Sequence, residues 1–401
     1  MGVSQSWIER GLAHVAKTYG RYPLVAATGD GCWLTDIEGK KYLDFLAGVA
    51  VNNLGHCHPK VVAALQDQAG KLLHCSNYFH IPQQIELAEI LCKYSFGDRV
   101  FFCNSGAEAN EAALKLVRKY SADKFGDNRS EIITAQGSFH GRTIATISAT
   151  GQEKIQAGFS PLLPGFKYVP FGDIQAIKAT ITPQTCAIML EPIQGEGGIN
   201  LPPEGYLQAV RELCDQRELL LIFDEIQVGL GRTGHLFAYQ HDNVEPDVMT
   251  LAKALAGGPP IGAMVAKEIY AEALSPGTHG STFGGNPLIA AAGVATMKVL
   301  LEDEILDNCI TMGTYLRGKL EQLREQYPFI VNVRGRGLMV GMELSIEGGE
   351  IVKTALDRGL LINCTVGKVL RFVPPLIVTQ EEIDRMIEIL DKIFSELGIG
   401  E

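Results

Sequence analysis

Residues 246–258 read Pro-Asp-Val-Met-Thr-Leu-Ala-Lys-Ala-Leu-Ala-Gly-Gly, and a single lysine, Lys253, stands among apolar and small residues. Upstream, residues 219–225 read Leu-Leu-Leu-Ile-Phe-Asp-Glu, an apolar run that delivers Asp224 at its end. Runs of this kind suit strands of a parallel sheet covered on both faces. A lysine in apolar surroundings and an acid at a strand end are the two groups that a pyridoxal phosphate site needs. The lysine forms a Schiff base with the cofactor, and the acid pairs with its pyridinium nitrogen.

Outward from this pair, strand-like and helix-like segments alternate. Residues 99–104 form an apolar strand that runs into an Ala-, Leu-, Glu- and Lys-rich helix over 105–120, with acids early and bases late, as the helix dipole prefers. Strands follow at 131–135 and 187–192, a helix at 206–216, the strand ending at Asp224, a strand near 247–251 and another at 263–266. The alternation predicts an α/β fold built on a mainly parallel sheet. In such sheets ligands sit beyond the carboxyl ends of the strands. Ser105, Arg142, Glu196, Asp224 and Lys253 each fall just after a strand-like run. Ser105, Gly106 and Ala107 open a helix whose free N–H groups can bind phosphate, although Ser105 also suits a plain N-cap. Residues 279–287, His-Gly-Ser-Thr-Phe-Gly-Gly-Asn-Pro, form a second loop suited to an anion.

The expected division is an N-terminal segment, 1–82, that contributes to a small domain; a large α/β domain, 83–300; and a C-terminal α+β small domain, 301–401. A hairpin with a Gly turn is expected over 31–45. Residues 59–69 are expected to form a helix with Pro59 in its first turn. His56, Cys57 and His58 lack a second ligand cluster at zinc-like spacing, so no metal is expected. The chain has 401 residues, 46% of them apolar and 20% charged, which fits a globular protein. A formal net charge of −11 argues against a nucleic-acid partner. Nine scattered cysteines make a disulfide framework improbable and favour a reducing compartment. The start of the chain has neither a basic region nor an apolar core of signal-peptide type, and no apolar run reaches membrane-spanning length. A cytoplasmic location without membrane partners is the expectation.

Six segments together resemble the class III, fold type I, pyridoxal phosphate-dependent aminotransferases, over about residue 17 to the end. They are Asn-Ser-Gly-Ala-Glu-Ala-Asn-Glu (104–111), Ser-Phe-His-Gly-Arg-Thr (138–143), Glu-Pro-Ile-Gln-Gly-Glu-Gly-Gly (191–198), Phe-Asp-Glu-Ile-Gln-Val-Gly-Leu-Gly-Arg-Thr-Gly (223–234), the lysine segment (251–258) and the 279–287 loop. Gly-His-Cys-His-Pro (55–59) and Arg-Phe-Val-Pro-Pro (371–375) are similar to the acetylornithine and ornithine branch of that family. The resemblance implies a seven-stranded-type sheet in the large domain, a homodimer, and a site at its interface. It implies Lys253 as the cofactor lysine and proton-transfer base, and Asp224 as the partner of the ring nitrogen. Phe139 would stack on the ring and Gln227 would contact its hydroxyl. Ser105, Gly106 and Ala107 would form one half of the phosphate cup, and Thr282 of a second copy the other. Arg142, with Tyr19 nearby, would hold a distal carboxylate, and Ser281 would lie at the substrate. Arg371 would clamp the α-carboxylate of 2-oxoglutarate or glutamate. Glu196, in a flexible glycine loop, would pair with Arg371 when an ω-amine donor fills the pocket. A free buried arginine would otherwise be costly.

The reaction implied is ping-pong transfer of the ω-amine of N2-acetylornithine to 2-oxoglutarate. Val49 stands where ornithine-specific members place a tyrosine, which favours an acylated donor; the alternative is that Val49 simply packs in the small sheet. Ornithine, N2-succinylornithine, N-succinyl-diaminopimelate and 4-aminobutyrate remain alternative donors. A non-catalytic regulatory protein of the same fold is opposed by the intact lysine and acid. A dinucleotide-dependent dehydrogenase is opposed by the lack of a Gly-x-Gly-x-x-Gly turn after an N-terminal strand. Decarboxylase, racemase and mutase chemistry fit the two arginines and Glu196 less well than transamination does.

Overall fold

The computed structural model describes residues 2–397. Its centre is a seven-stranded sheet ordered Arg99–Cys103, Gly262–Ala266, Val248–Leu251, Leu220–Asp224, Thr185–Leu190, Glu131–Ala135 and Phe166–Val169. Gly262–Ala266 runs antiparallel to both of its neighbours, and the remaining strands are parallel. Every residue of the strands Thr185–Leu190, Leu220–Asp224, Val248–Leu251 and Gly262–Ala266 is buried. That is the pattern of strands covered on both faces, and it explains why they read as continuous apolar runs. Phe223 is fully buried, so Phe223→Ala would cost about 3–5 kcal/mol.

The register sets the site. Asp224 pairs with Thr250 on the next strand, and Glu225 N donates to Thr250 O, so the acid and the turn carrying Lys253 leave adjacent strand ends. The helix Gly106–Phe125 starts directly after the strand Arg99–Cys103. Ser105 caps it by accepting from Glu108 N (3.2 Å), and Glu108 and Lys124 occupy its first and last turns, as the dipole favours.

Two four-stranded sheets flank this body. Ala26–Asp30, Trp33–Asp36 and Lys41–Asp44 form an antiparallel set whose far edge pairs in parallel with Leu360–Leu361. The predicted turn is present, with Gly39 at φ 87°. The second sheet comprises Ile330–Arg336, Met339–Leu344, Val369–Phe372 and Asn363–Thr365. The helix Gln380–Glu396, begun by a Thr379–Glu382 capping box, packs against the helices Ile305–Gln326 and Gly349–Asp357 and buries Ile383, Met386, Leu390, Ile393 and Phe394 along one stripe. Arg371 lies on this sheet opposite Gly341, and only 1% of its surface is exposed.

Between Lys41–Asp44 and the helix Pro59–Ala69 the chain makes one left-handed turn. Ala47, Gly48, Val49 and Ala50 have φ of 48°, 64°, 65° and 60°. Such a conformation is unfavourable for a β-branched residue such as Val49. Asp44 supports it by accepting from Leu46 N and Ala47 N, both at 2.8 Å, and its other oxygen bonds His56 Nε2 (2.8 Å). The His56 ring is thereby committed to Asp44. Among the described residues no cluster of three or more His, Cys, Asp or Glu is arranged to hold a metal, and no helix is long and apolar enough to cross a membrane.

Candidate active site

A cavity of about 380 Å³ opens at the carboxyl ends of the parallel strands. Ser105, Gly106, Ala107, Phe139, Arg142, Glu196, Asp224, Gln227 and Lys253 all border it. Lys253 begins the 3-10 turn Lys253–Ala256 with φ 42°. Burial lowers its amine to about 8, although Glu196 pulls the other way. The neutral amine, the form that can act as nucleophile or base, is therefore reached near neutral pH.

Asp224 is buried with both oxygens engaged. Oδ2 accepts from His140 Nδ1 and Asn110 Nδ2, both at 2.8 Å, and Oδ1 accepts from Ile226 N (3.1 Å). Asn110 in turn accepts from Thr250 Oγ1 (2.7 Å) and donates to His140 O (2.7 Å). Burial opposes a charge on His140, but the hydrogen bond and charge of Asp224 outweigh it and raise the imidazole above its ordinary value. These donors fix the carboxylate's orientation.

Glu191 is a further wall residue, one that sequence reading treated only as the end of a strand. Its Oε2 accepts from Phe139 N (3.1 Å) and its Oε1 from Gly195 N (3.2 Å). Burial pushes its carboxyl up to about 7. One side chain thus ties the aromatic segment to the loop bearing Glu196. Phe139 is half-buried, and the exposed guanidinium of Arg142 lies 5.5 Å from its ring centroid.

At the opposite wall Arg371 Nη1 donates to Glu196 Oε1 and to Gln227 Oε1 (3.3 Å), and its Nε donates to Asn363 Oδ1 (3.2 Å). Gln227 Nε2 donates to Glu196 Oε1 (3.3 Å). Burial disfavours the Glu196 carboxylate, but the neighbouring arginine holds it below the usual carboxylate range. Arg371 is almost wholly buried, whereas the Glu196 side chain is 32% exposed. The pair therefore joins a fixed cation to an anion with room to leave.

The helix start at Ser105–Ala107 offers backbone N–H groups to the cavity. A Cβ on Gly106 would lie 2.8 Å from Ile226 Cδ1, so any larger residue there must displace that side chain. A buried low-pKa lysine, an acid fixed by three donors, an aromatic face and a helix N-terminus at one cavity fit pyridoxal phosphate.

Four expected residues do not border this cavity: Arg371, which reaches it through Glu196 and Gln227, and Tyr19, Ser281 and Thr282. Tyr19 is 75% exposed and follows a helix, Val3–His14, with no buried side chain. Ser281 and Thr282 border a neighbouring cavity with Asn77, Tyr78 and Gln84. Asn77 holds that loop by donating to Ser281 O (3.0 Å) and Gly284 O (3.1 Å). Asn104, which borders the main cavity, donates through Nδ2 to Ser281 Oγ (3.2 Å).

The family model for class-III aminotransferases matches residues 14–394. An acetylornithine aminotransferase of Methanocaldococcus jannaschii is 55% identical over 393 residues, covering 98% of this chain and 99% of that protein. The crystal structure of ornithine aminotransferase from Toxoplasma gondii superposes with a TM-score of 0.95 at 37% identity, covering 99% of this chain and 96% of that one. N-acetylornithine aminotransferase from Stenotrophomonas maltophilia gives 0.84 at 40% identity, with 97% and 99% covered.

Proposed function

The chain belongs to the class-III aminotransferases, and from that premise we propose that it moves the ω-amine of N2-acetylornithine to 2-oxoglutarate. The products are N-acetylglutamate 5-semialdehyde and glutamate, and the step serves arginine biosynthesis. Relatives of about half-identical sequence over nearly the whole chain are acetylornithine aminotransferases, which supports the donor. The observation that carries the reading is the Arg371–Glu196 pair, whose glutamate borders the same cavity as Lys253. It suits a pocket that must accept an ω-amine chain in one half-reaction and an α-carboxylate in the other.

Bound pyridoxal phosphate supplies an electron sink for the carbon that carries the amine. Lys253 would hold the cofactor and, with its amine free, would serve as the base of the 1,3-proton transfer, carrying the proton from that carbon across the nitrogen. Asp224, fixed by His140, Asn110 and the Ile226 N–H, would keep a proton on the ring nitrogen. Phe139 would cover one face of the ring, Gln227 would contact its hydroxyl, and Ser105, Gly106 and Ala107 would bind the phosphate. Arg142 holds the carboxylate of the donor far from the reacting amine. Glu196 neutralises Arg371 while the donor is bound, then yields to the α-carboxylate of 2-oxoglutarate or glutamate.

The working unit in this reading is a homodimer, with Thr282 and Ser281 serving the partner's site. In support, these residues lie beside exposed Tyr78, Phe79 and Phe283, an apolar surface of the kind a second copy covers. Acetylornithine and 2-oxoglutarate incubated with the enzyme are expected to yield glutamate and the semialdehyde in equal amounts. Failure to form glutamate from acetylornithine and 2-oxoglutarate, or a chain that stays monomeric while active, contradicts the proposal.

A further inference from the structure

The loop that bears Glu196 is rich in glycine, yet it is closed and packed rather than free. At its neck Gln194 N donates to Asn200 O (3.0 Å) and Asn200 N to Gln194 O (3.1 Å). The Asn200 amide donates again, to Gln194 Oε1 (3.1 Å) and Gly197 O (2.9 Å). At the entry, Glu191 accepts from Gly195 N. A Cβ on Gly195 would fall 1.8 Å from Gln227 Oε1, and one on Gly197 would fall 2.7 Å from Gly137 O. These glycines allow close approach; they do not leave space for the backbone to move.

The exit of the loop is strained. Ile199 has φ 54° and is fully buried. A β-branched residue held in the left-handed region persists only where its surroundings impose it. Arg334, from the strand Ile330–Arg336 of the C-terminal sheet, supplies the restraint. Its Nη2 donates to Gly198 O (2.7 Å), and its Nε donates to Gly198 O (3.1 Å) and Ile199 O (2.9 Å). Its remaining nitrogen, Nη1, pairs with Glu343. A planar guanidinium can serve two adjacent carbonyls and a carboxylate together; a lysine cannot.

We propose that Arg334 is a positioning residue for donor specificity: by holding the Gly198–Ile199 turn it fixes the backbone from which Glu196 reaches Arg371. Glu196 then exchanges between its two positions by side-chain rotation on a stationary loop. This rests on the reading of Glu196 as the alternate partner of Arg371. Arg334 touches neither substrate nor cofactor, so its effect is selective. Loss of the restraint weakens the Glu196–Arg371 pair, which the ω-amine donor needs and glutamate must displace.

The test follows the two half-reactions separately, by cofactor absorbance, with acetylornithine and with glutamate. In Arg334→Met the rate with acetylornithine falls relative to that with glutamate by about tenfold, the scale of a lost hydrogen bond to a charged group. Arg334→Lys recovers part of that ratio. Hydrogen exchange at Gly198, Ile199 and Asn200 is faster in Arg334→Met than in the parent. Glu196→Ala lowers the same ratio, and adding Arg334→Met to it changes the ratio less than about twofold, as coupled residues require. An equal fall in both half-reactions, or unchanged exchange at these amides, overturns the proposal. If Arg334→Met does not fold, Arg334→Lys decides: an unchanged ratio there overturns it. If Glu196→Ala leaves the ratio unchanged, the reading of Glu196 fails; if it moves the ratio and Arg334→Met does not, only the role of Arg334 fails.

Discussion

The lysine centre and the Arg371 gate share one cavity but are built in different ways. Lys253, Asp224 and the Ser105–Ala107 helix start all leave the carboxyl ends of strands of one sheet. Asp224 is fixed by three donors from that same body. The gate draws Arg371 and Arg334 from the C-terminal sheet and Glu196 and Gln227 from loops of the central sheet. The difference teaches a division of labour. On the proposed reading, groups used in both half-reactions stand on a single rigid frame, while groups used differently in the two stand where two segments meet.

A fully buried arginine shows the same contrast. Among the described residues Arg232 has no carboxylate partner; it donates to Leu338 O (3.0 Å), Pro374 O and Asn53 Oδ1. Burial lowers its guanidinium to about 10. Neutral acceptors drawn from three distant segments make it a fixed tie. Arg371, with one partly exposed anionic partner, is arranged for exchange.

If the lysine centre serves both half-reactions, Lys253→Ala abolishes both, by roughly 10⁴-fold or more, and removes the visible absorbance of the lysine-bound cofactor; retention of that absorbance would break the comparison. If the gate serves them unequally, Arg371→Lys loses on the order of 10–100-fold with glutamate and much less with acetylornithine, read from the same half-reactions. Equal losses would place Arg371 with the common machinery.

A pH dependence sharpens the lysine side. Burial holds the Lys253 amine near 8 rather than the ordinary 10.5. Attachment of cofactor to the apoprotein therefore quickens as the pH rises through about 8 and levels off above it. Between 8 and 10.5 the unfolded chain binds the proton that the folded chain lacks. This lysine accordingly adds stability to the apoprotein as pH climbs through that window. Attachment that still accelerates toward pH 10.5 would show an ordinary lysine. The smallest effect concerns Val49, beside the cavity residue Val51 in the left-handed turn. Val49→Tyr is expected to raise kcat/KM for ornithine relative to acetylornithine by about fivefold, the worth of one polar contact; an unchanged ratio assigns Val49 to packing.

The lysine centre was legible in the sequence because each of its groups follows a short buried strand, so local pattern and position in the fold coincide. The strand Phe166–Val169 was missed. It lies at the edge of the sheet with Lys167 and Tyr168 exposed, so it carries no continuous apolar run. Asn110 looks like an ordinary helix residue until the fold brings it to Asp224. Arg334 sits in an Arg-Gly-Arg-Gly run, and its partners at Gly198 and Ile199 lie more than a hundred residues away. The glycines around Glu196 suggest mobility in sequence, and only the contacts across the loop reveal close packing. Tyr19, Ser281 and Thr282 are site residues only by the family resemblance, and the single chain holds them outside the cavity.

The most direct test of the account is kcat/KM with 2-oxoglutarate for acetylornithine, succinylornithine, succinyl-diaminopimelate, ornithine and 4-aminobutyrate, measured on one preparation. The account predicts the highest value for acetylornithine, with ornithine well below it. A dominant value for 4-aminobutyrate would contradict it.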